Sequence, residues 1–338
     1  MSQAALFVGN FSFFEDFFPG PAPTNGILRY TGSGTFIDNF APEGRGGLTI
    51  ACCMTFGPDE NLYVGSPLTG SILRYNGVTG AFIDEFVPSG SGGLVGPLVL
   101  VFHDSKLYVG DATANEILRY DAVTGAFIDV FVPPGTGGLG REFGVPQGFG
   151  FGADGNLYVT NPPTSTTVGN VLRFNGRTGA FIDVFIGSNA VSNPGGLTFG
   201  PHGDLYVTSD NGVNRYNGKT GALIDTFVDQ ASGGLGSPVG IAFGPDANFY
   251  VASSNTGQIL RYDRKGRFID AFVPAGTGDI SGPRTIEWKV TTVVCHSNGK
   301  HEKSKSITVG YLSAPEHLAH GDALGPCADR REERGHGD

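Results

Sequence analysis

Residues Gly195–Phe227 read GGLTF, GPHGD, LYVTS, DNG, VNRYN, GKTG, ALIDTF. Four short apolar runs alternate with turn residues, the pattern of four antiparallel strands joined by tight turns. Val and Tyr favour a pleated, half-buried surface. In the G-P-x-x turn proline presets φ at the second position, and Gly, Asp and Asn tolerate the backbone angles of the later positions. We number the strands first to fourth in chain order, from inside to outside. The unit recurs. Its third-strand word is ILRY at Ile27–Tyr30, Ile72–Tyr75, Ile117–Tyr120 and Ile259–Tyr262, with VLRF at Val171–Phe174 and VNRY at Val213–Tyr216. FID or LID comes after each in the fourth strand. A unit of 45 residues, the spacing from Ile27 to Ile72 and from Ile72 to Ile117, built only of strand words implies a toroidal stack of small sheets. The expected fold is all-β: a six-bladed β-propeller with four antiparallel strands per blade.

The ends of the repeat predict how the ring shuts. The chain opens on a second-strand word, LFV at Leu6–Val8, with no first strand before it. First-strand words at Leu48–Phe56, Leu98–Phe102, Gly148–Phe151, Gly195–Phe199 and Val239–Phe243 are succeeded by Thr285–Trp288, which has no second strand after it. This last strand is expected to complete the first blade and remove both exposed sheet edges. The resulting division is residues 1–288 for the ring, 289–327 for a small Cys/His module and 328–338 for a charged, disordered tail.

The repeats resemble NHL-type propeller repeats, with Pro238–Val251, PVGIAFGPDANFYV, nearest to that family's pattern. The resemblance covers about residues 4–288 and implies the propeller fold. It leaves activity open, because such propellers include protein- and RNA-binding modules, lyases and scaffolds.

Composition narrows the classes. The 55 glycines and 21 prolines sit at repeating positions between apolar runs, so they mark turns and not disorder. The 26 phenylalanines supply a large core from few residues. A net charge of −10 argues against a nucleic-acid partner, which needs a basic face. No run of apolar residues is long enough for a helical membrane span. The first residues, MSQAALFVGNFSFFEDFF, lack the basic start and small-residue cleavage site of a secretory signal.

Chemistry is sparse in the ring. Arg29/Asp38, Arg74/Asp84, Arg119/Asp129, Arg173/Asp183, Arg215/Asp225 and Arg261/Asp270 fall opposite each other on third and fourth strands, and are expected to be cross-strand ion pairs. His103 and His202 lie at first-to-second turns, away from the variable connections where binding loops are expected. Asp111 and Asp210 come after second strands and are candidate rim carboxylates. Glycine-rich loops such as Gly135–Gly140 lack the G-K-[ST] and helix of a phosphate cradle and read as irregular connections. Cys52–Cys53 is expected to be a pair of buried thiols, a strained vicinal disulfide being the alternative. No catalytic residues are assigned.

Two segments break the repeat. The 17-residue connection Asn10–Gly26 holds Phe11, Phe13, Phe14, Phe17 and Phe18, an interaction candidate whose apolar area must be covered either by the ring itself or by a partner. After Trp288 the text changes. Lys289–Val294 and Ser306–Val309 read as strands, and a capping box at Ser313 and Glu316 opens a short helix ended by Gly321. The segment resembles a short terminal module of bacterial surface or secreted proteins, an expectation that favours an extracellular site for a chain without a signal peptide. Two chemistries compete in it. A Cys295–Cys327 disulfide would close a loop contributing roughly 3–4 kcal/mol; alternatively a metal ion, the one candidate cofactor, would be held by His296, His317 and His320 with or without the cysteines.

The functional expectation is a non-catalytic propeller that serves as a protein-interaction, structural or self-assembling module, with a protein partner or further copies of itself, as oligomer or filament. The alternative is a metal-dependent propeller hydrolase or lyase, lactonase-like or streptogramin-lyase-like.

Overall fold

The computed structural model describes residues 3–11, 25–140, 146–163, 169–296, 305–310 and 323–324. Its strands form six antiparallel sheets, one per repeat. Blade 1 contains Gln3–Asn10, Gly26–Thr31 and Phe36–Pro42, completed by Pro283–His296 beside Gln3–Asn10. The closure expected from the orphan strand is therefore present. Blades 2 to 6 each use four consecutive strands, with first strands Cys53–Phe56, Pro97–His103, Gly148–Phe151, Leu197–Phe199 and Pro238–Phe243. Most first strands differ from the sequence reading by one or two residues at an end, and two differ by more. The first strand of blade 2 starts at Cys53, because Leu48–Cys52 is an irregular approach without ladder pairing, with Leu48, Ile50 and Ala51 buried and Thr49 and Cys52 half-buried. The closing strand also continues past Trp288 without a break.

Leu6–Trp288 is one compact unit. The other comprises Met1–Ala5 and Lys289–Asp338; within it Thr291–His296 pairs with Lys305–Gly310, and Val294–Cys295 with Ala323–Leu324. The expected capping-box helix and terminal tail lie outside the described residues.

The core sits between neighbouring blades. One cluster joins Tyr63 and Ile72 of blade 2 to Leu107 and Val109 of blade 3; the same arrangement recurs around the ring. The aromatic that closes each first-strand word packs edge-on against the second strand of the preceding blade. Phe102 meets Tyr63 at 4.9 Å, Phe151 meets Tyr108 at 4.9 Å, and Trp288 meets Tyr250 at 4.9 Å. Such pairs add about 0.5–1.5 kcal/mol each beyond area burial. Trp288 thus makes, for the last junction, the contact that Phe makes elsewhere.

The charged pairs form as expected. Arg119 stands opposite Asp129 and binds it through two hydrogen bonds, of 2.6 and 3.0 Å; the other five pairs repeat this fork. Each guanidinium also lies over the buried phenylalanine of the fourth strand, 4.7 Å from the Phe131 ring centroid for Arg119. These are scaffold contacts.

The word ILRY ends in a tyrosine that latches one blade to the loop before it. The hydroxyls of Tyr75, Tyr120 and Tyr262 donate to the carbonyls of Arg45, Ser91 and Ser232 at 2.7–2.8 Å. Those loops are not wholly irregular, since each carries a short 3₁₀ turn, as at Ser91–Gly93. The turn between third and fourth strands explains one glycine: Gly80 has φ +69, and a Cβ there would strike the Phe40 carbonyl of the preceding blade.

Candidate functional site

A cavity of about 1110 Å³ opens along the axis of the ring. Its mouth lies among the variable connections, with Phe11, Leu68, Val95, Asn193 and Asp210 around it. It reaches down the first strands as far as Val101, Thr198, Ala242 and Glu287, one residue short of the terminal aromatics. The wall is mainly apolar side chains and glycine. Among the described lining residues the charged ones are Asp210, Arg284 and Glu287.

Of the five candidate phenylalanines, Phe11 is described. It is 8 % exposed and turned into the cavity, and its N–H donates to the Gly282 carbonyl at 3.0 Å. Phe13, Phe14, Phe17 and Phe18 lie outside the described residues. So do His317, His320 and Cys327, while Cys295 and His296 are placed only as backbone of the closing strand.

Asp111 is not a rim ligand. It is fully buried, and its carboxylate accepts four backbone N–H groups: Val95 at 2.7 Å, Gly96 at 3.1 Å, and Thr113 and Ala114 at 2.9 Å. The equivalent position ties the entry loop to the second strand in three more blades. Asn10 accepts from Ser281 and Gly282, Asn161 from Gly140, and Ser253 from Gly236. Asp210 remains exposed at the mouth, where it accepts from the Asn193 side chain at 3.1 Å. His103 ends the first strand of blade 3 and stacks on Phe151 with centroids 3.8 Å apart, a packing role. His202 is exposed in its turn.

Cys52 and Cys53 are free thiols on the cavity wall. A hydrogen bond between them, then burial, holds the Cys53 thiol well above its usual range, so it stays protonated at neutral pH. Arg284 is held below its ordinary value by burial, against the pull of Cys52.

Glu287 does not stand out in the sequence, where it sits inside the strand word TIEW. In the other first strands the residue before the terminal aromatic is Thr55, Val101, Gly150, Thr198 or Ala242. Glu287 is the one carboxyl at this level. Enclosure between the inner strands pushes it up to about 7, opposed by a hydrogen bond from the Thr55 hydroxyl. Part of the residue still faces the cavity. A lone ionisable residue in an otherwise neutral series was the available signal.

No family model and no curated protein matches the sequence. Solved structures are similar in fold. One, from a nidogen/laminin complex, has a TM-score of 0.60 at 15% identity, covering 85% of this chain and 98% of that one. A gluconolactonase from Xanthomonas campestris has a TM-score of 0.51 at 17% identity, covering 67% of this chain and 74% of that one. The likeness is that of a six-bladed propeller, shared by a component of a protein complex and by an enzyme.

Proposed function

We propose that this chain is a non-catalytic propeller acting as an interaction or self-assembling module, docking a protein partner or further copies of itself. One observation carries the reading. Every fourth strand begins with two adjacent large apolar residues that stay exposed: Phe36 and Ile37, Phe82 and Ile83, Phe127 and Ile128, Phe181 and Ile182, Leu223 and Ile224, Phe268 and Ile269. Each of these strands is the last of its sheet, with no partner on its outer side among the described residues. Soluble proteins ordinarily blunt such edges with charge or cover them. Here the apolar pair recurs in all six blades, and exposed apolar surface of this kind marks contact with other macromolecules.

Light scattering of the purified chain across a concentration series tests this, with electron microscopy of the same samples. The expected result is a mass above that of one chain, rising with concentration. Changing Ile37, Ile128 and Ile224 to Lys should lower that mass while the circular dichroism stays unchanged. A single-chain mass at every concentration would remove the self-assembly reading.

A second reading, a propeller hydrolase or lyase, draws support from Glu287. A carboxyl held near neutral pH in a cavity has the right acidity for general acid–base work. Lactone turnover in the presence of Ca²⁺ or Mg²⁺ that disappears in Glu287→Gln would displace the first reading.

A further inference from the structure

We infer that the axial cavity is a binding site for an organic ammonium ion, taken up with its charged head on Glu287 and its apolar stem along the inner strands. The inference is independent of how the outer edges are used.

Glu287 has no scaffold role that the other blades require. Five blades complete the same strand with Thr55, Val101, Gly150, Thr198 and Ala242, and their junctions are made by the aromatic one residue later. A carboxyl in this place opposes folding at neutral pH, because enclosure disfavours its charged form. An ionisable group that costs stability, is unique among six equivalent positions and faces a cavity is a candidate binding group.

The surroundings select the ligand class. The carboxyl stands at the deep end of the cavity, beside the Thr55 hydroxyl. The ionisable groups on the wall around it are Arg284, three residues earlier on its own strand, and the Cys52 and Cys53 thiols on the approach and inner strand of blade 2. Phe7 on the second strand of blade 1 and Ala242 on the inner strand of blade 6 bring no charge. With Asp210 at the mouth, the described lining carries two carboxyls and one guanidinium, which favours a cation. A bare divalent cation needs six or more oxygen ligands, or water in their place. Among the described residues no group of three or more His, Cys, Asp and Glu gathers to hold one. Val99, Val101, Leu197 and Ile241 instead offer apolar surface to a hydrocarbon stem. The volume, about 1110 Å³, admits a small organic molecule.

Isothermal titration calorimetry of the full chain with phenethylamine, at pH 6 and pH 8, tests the site, with 2-phenylethanol as the neutral probe of the same shape. The ammonium stays charged throughout, so its affinity tracks ionisation of the empty site's carboxyl and should rise about tenfold between the two pH values. The alcohol should bind without pH dependence. Glu287→Gln, which keeps size and removes charge, should weaken the amine at least about tenfold at pH 8 and leave the alcohol unchanged. The wild-type pH series needs no variant and stands even if the substitution disturbs folding. Equal binding of amine and alcohol, an amine affinity independent of pH, or no amine binding at millimolar concentration overturns the inference. Turnover is not the readout, so failure here leaves both functional readings standing.

Discussion

In every blade the outer hairpin carries an arginine forked onto the facing aspartate and lying over a phenylalanine. The innermost strands share little beyond the aromatic with which their words end. The outer hairpins must satisfy one geometric demand, stacking against the next blade, and one residue set meets it six times. The inner strands have satisfied that demand once the terminal aromatic is in place, so the residues above it are free to differ. What varies there faces the cavity.

The comparison breaks most severely at the closing strand. A chain ended after Gly282 keeps every outer hairpin but leaves Gln3–Asn10 as an open edge and removes the Trp288 contact to Tyr250. It is expected to lose more than about 5 kcal/mol, comparable to the whole stability of an ordinary domain, and with it cooperative unfolding by calorimetry. A sharp transition near that of the full chain would show that the outer contacts alone hold the ring.

Asp111 comes next. Asp111→Ala strips four N–H groups, one of them buried and three part-buried, of their acceptor and should cost about 3 kcal/mol in denaturant unfolding. Asp111→Asn should cost less, because Asn serves at this position in Asn10 and Asn161. Equal losses would mean that the charge, and not the acceptor geometry, organises the loop.

Glu287→Gln should act in the opposite sense and only over part of the pH range. The folded carboxyl titrates near 7 and its ordinary value is 4.5. Its folded value is raised, so the protein is favoured while the group is protonated. That advantage is lost as pH rises from about 4.5 to 7 and stays lost above. The variant should therefore match the parent at pH 4 and exceed it at pH 8 by up to about 3 kcal/mol in denaturant midpoint measurements. A gain of the same size at both pH values would assign the effect to packing.

The smallest effect sharpens the regularity itself. Blade 4 has Phe174 where ILRY places a tyrosine, and so lacks the latch onto the Thr136–Gly138 turn that precedes it. Tyr120→Phe should cost about 1 kcal/mol and Phe174→Tyr should recover a similar amount, read as shifts in melting temperature. No change in either would show that the ring packing, and not the hydroxyl, makes the junction.

Much of this is legible in the sequence. Arg119 and Asp129 fall opposite each other because the strand period is two and the hairpin turn has fixed length. The orphan Thr285–Trp288 word announced the closure because four strands per blade leave one unpaired at each end. The burial of Asp111 is not legible in the sequence, for a clear reason. A carboxylate after a strand looks the same in sequence whether it faces solvent or four backbone N–H groups, and two of those donors, Val95 and Gly96, arrive from an earlier loop. For Phe11 the sequence leaves open whether the ring or a partner covers its side chain, and the structure places it against the cavity.

By itself the sequence determined the strand order, the blade number and the ion-paired scaffold of the outer hairpins, since each rests on local patterns repeated at a constant period. The tertiary structure decided which residues that scaffold consumes and which it leaves for chemistry. Glu287 acquires its character from strands of several blades that enclose it, and Asp111 loses its availability to a loop of its own blade. Enclosure and hydrogen-bond satisfaction are properties of what surrounds a group in space, and a linear reading of its neighbours does not contain them.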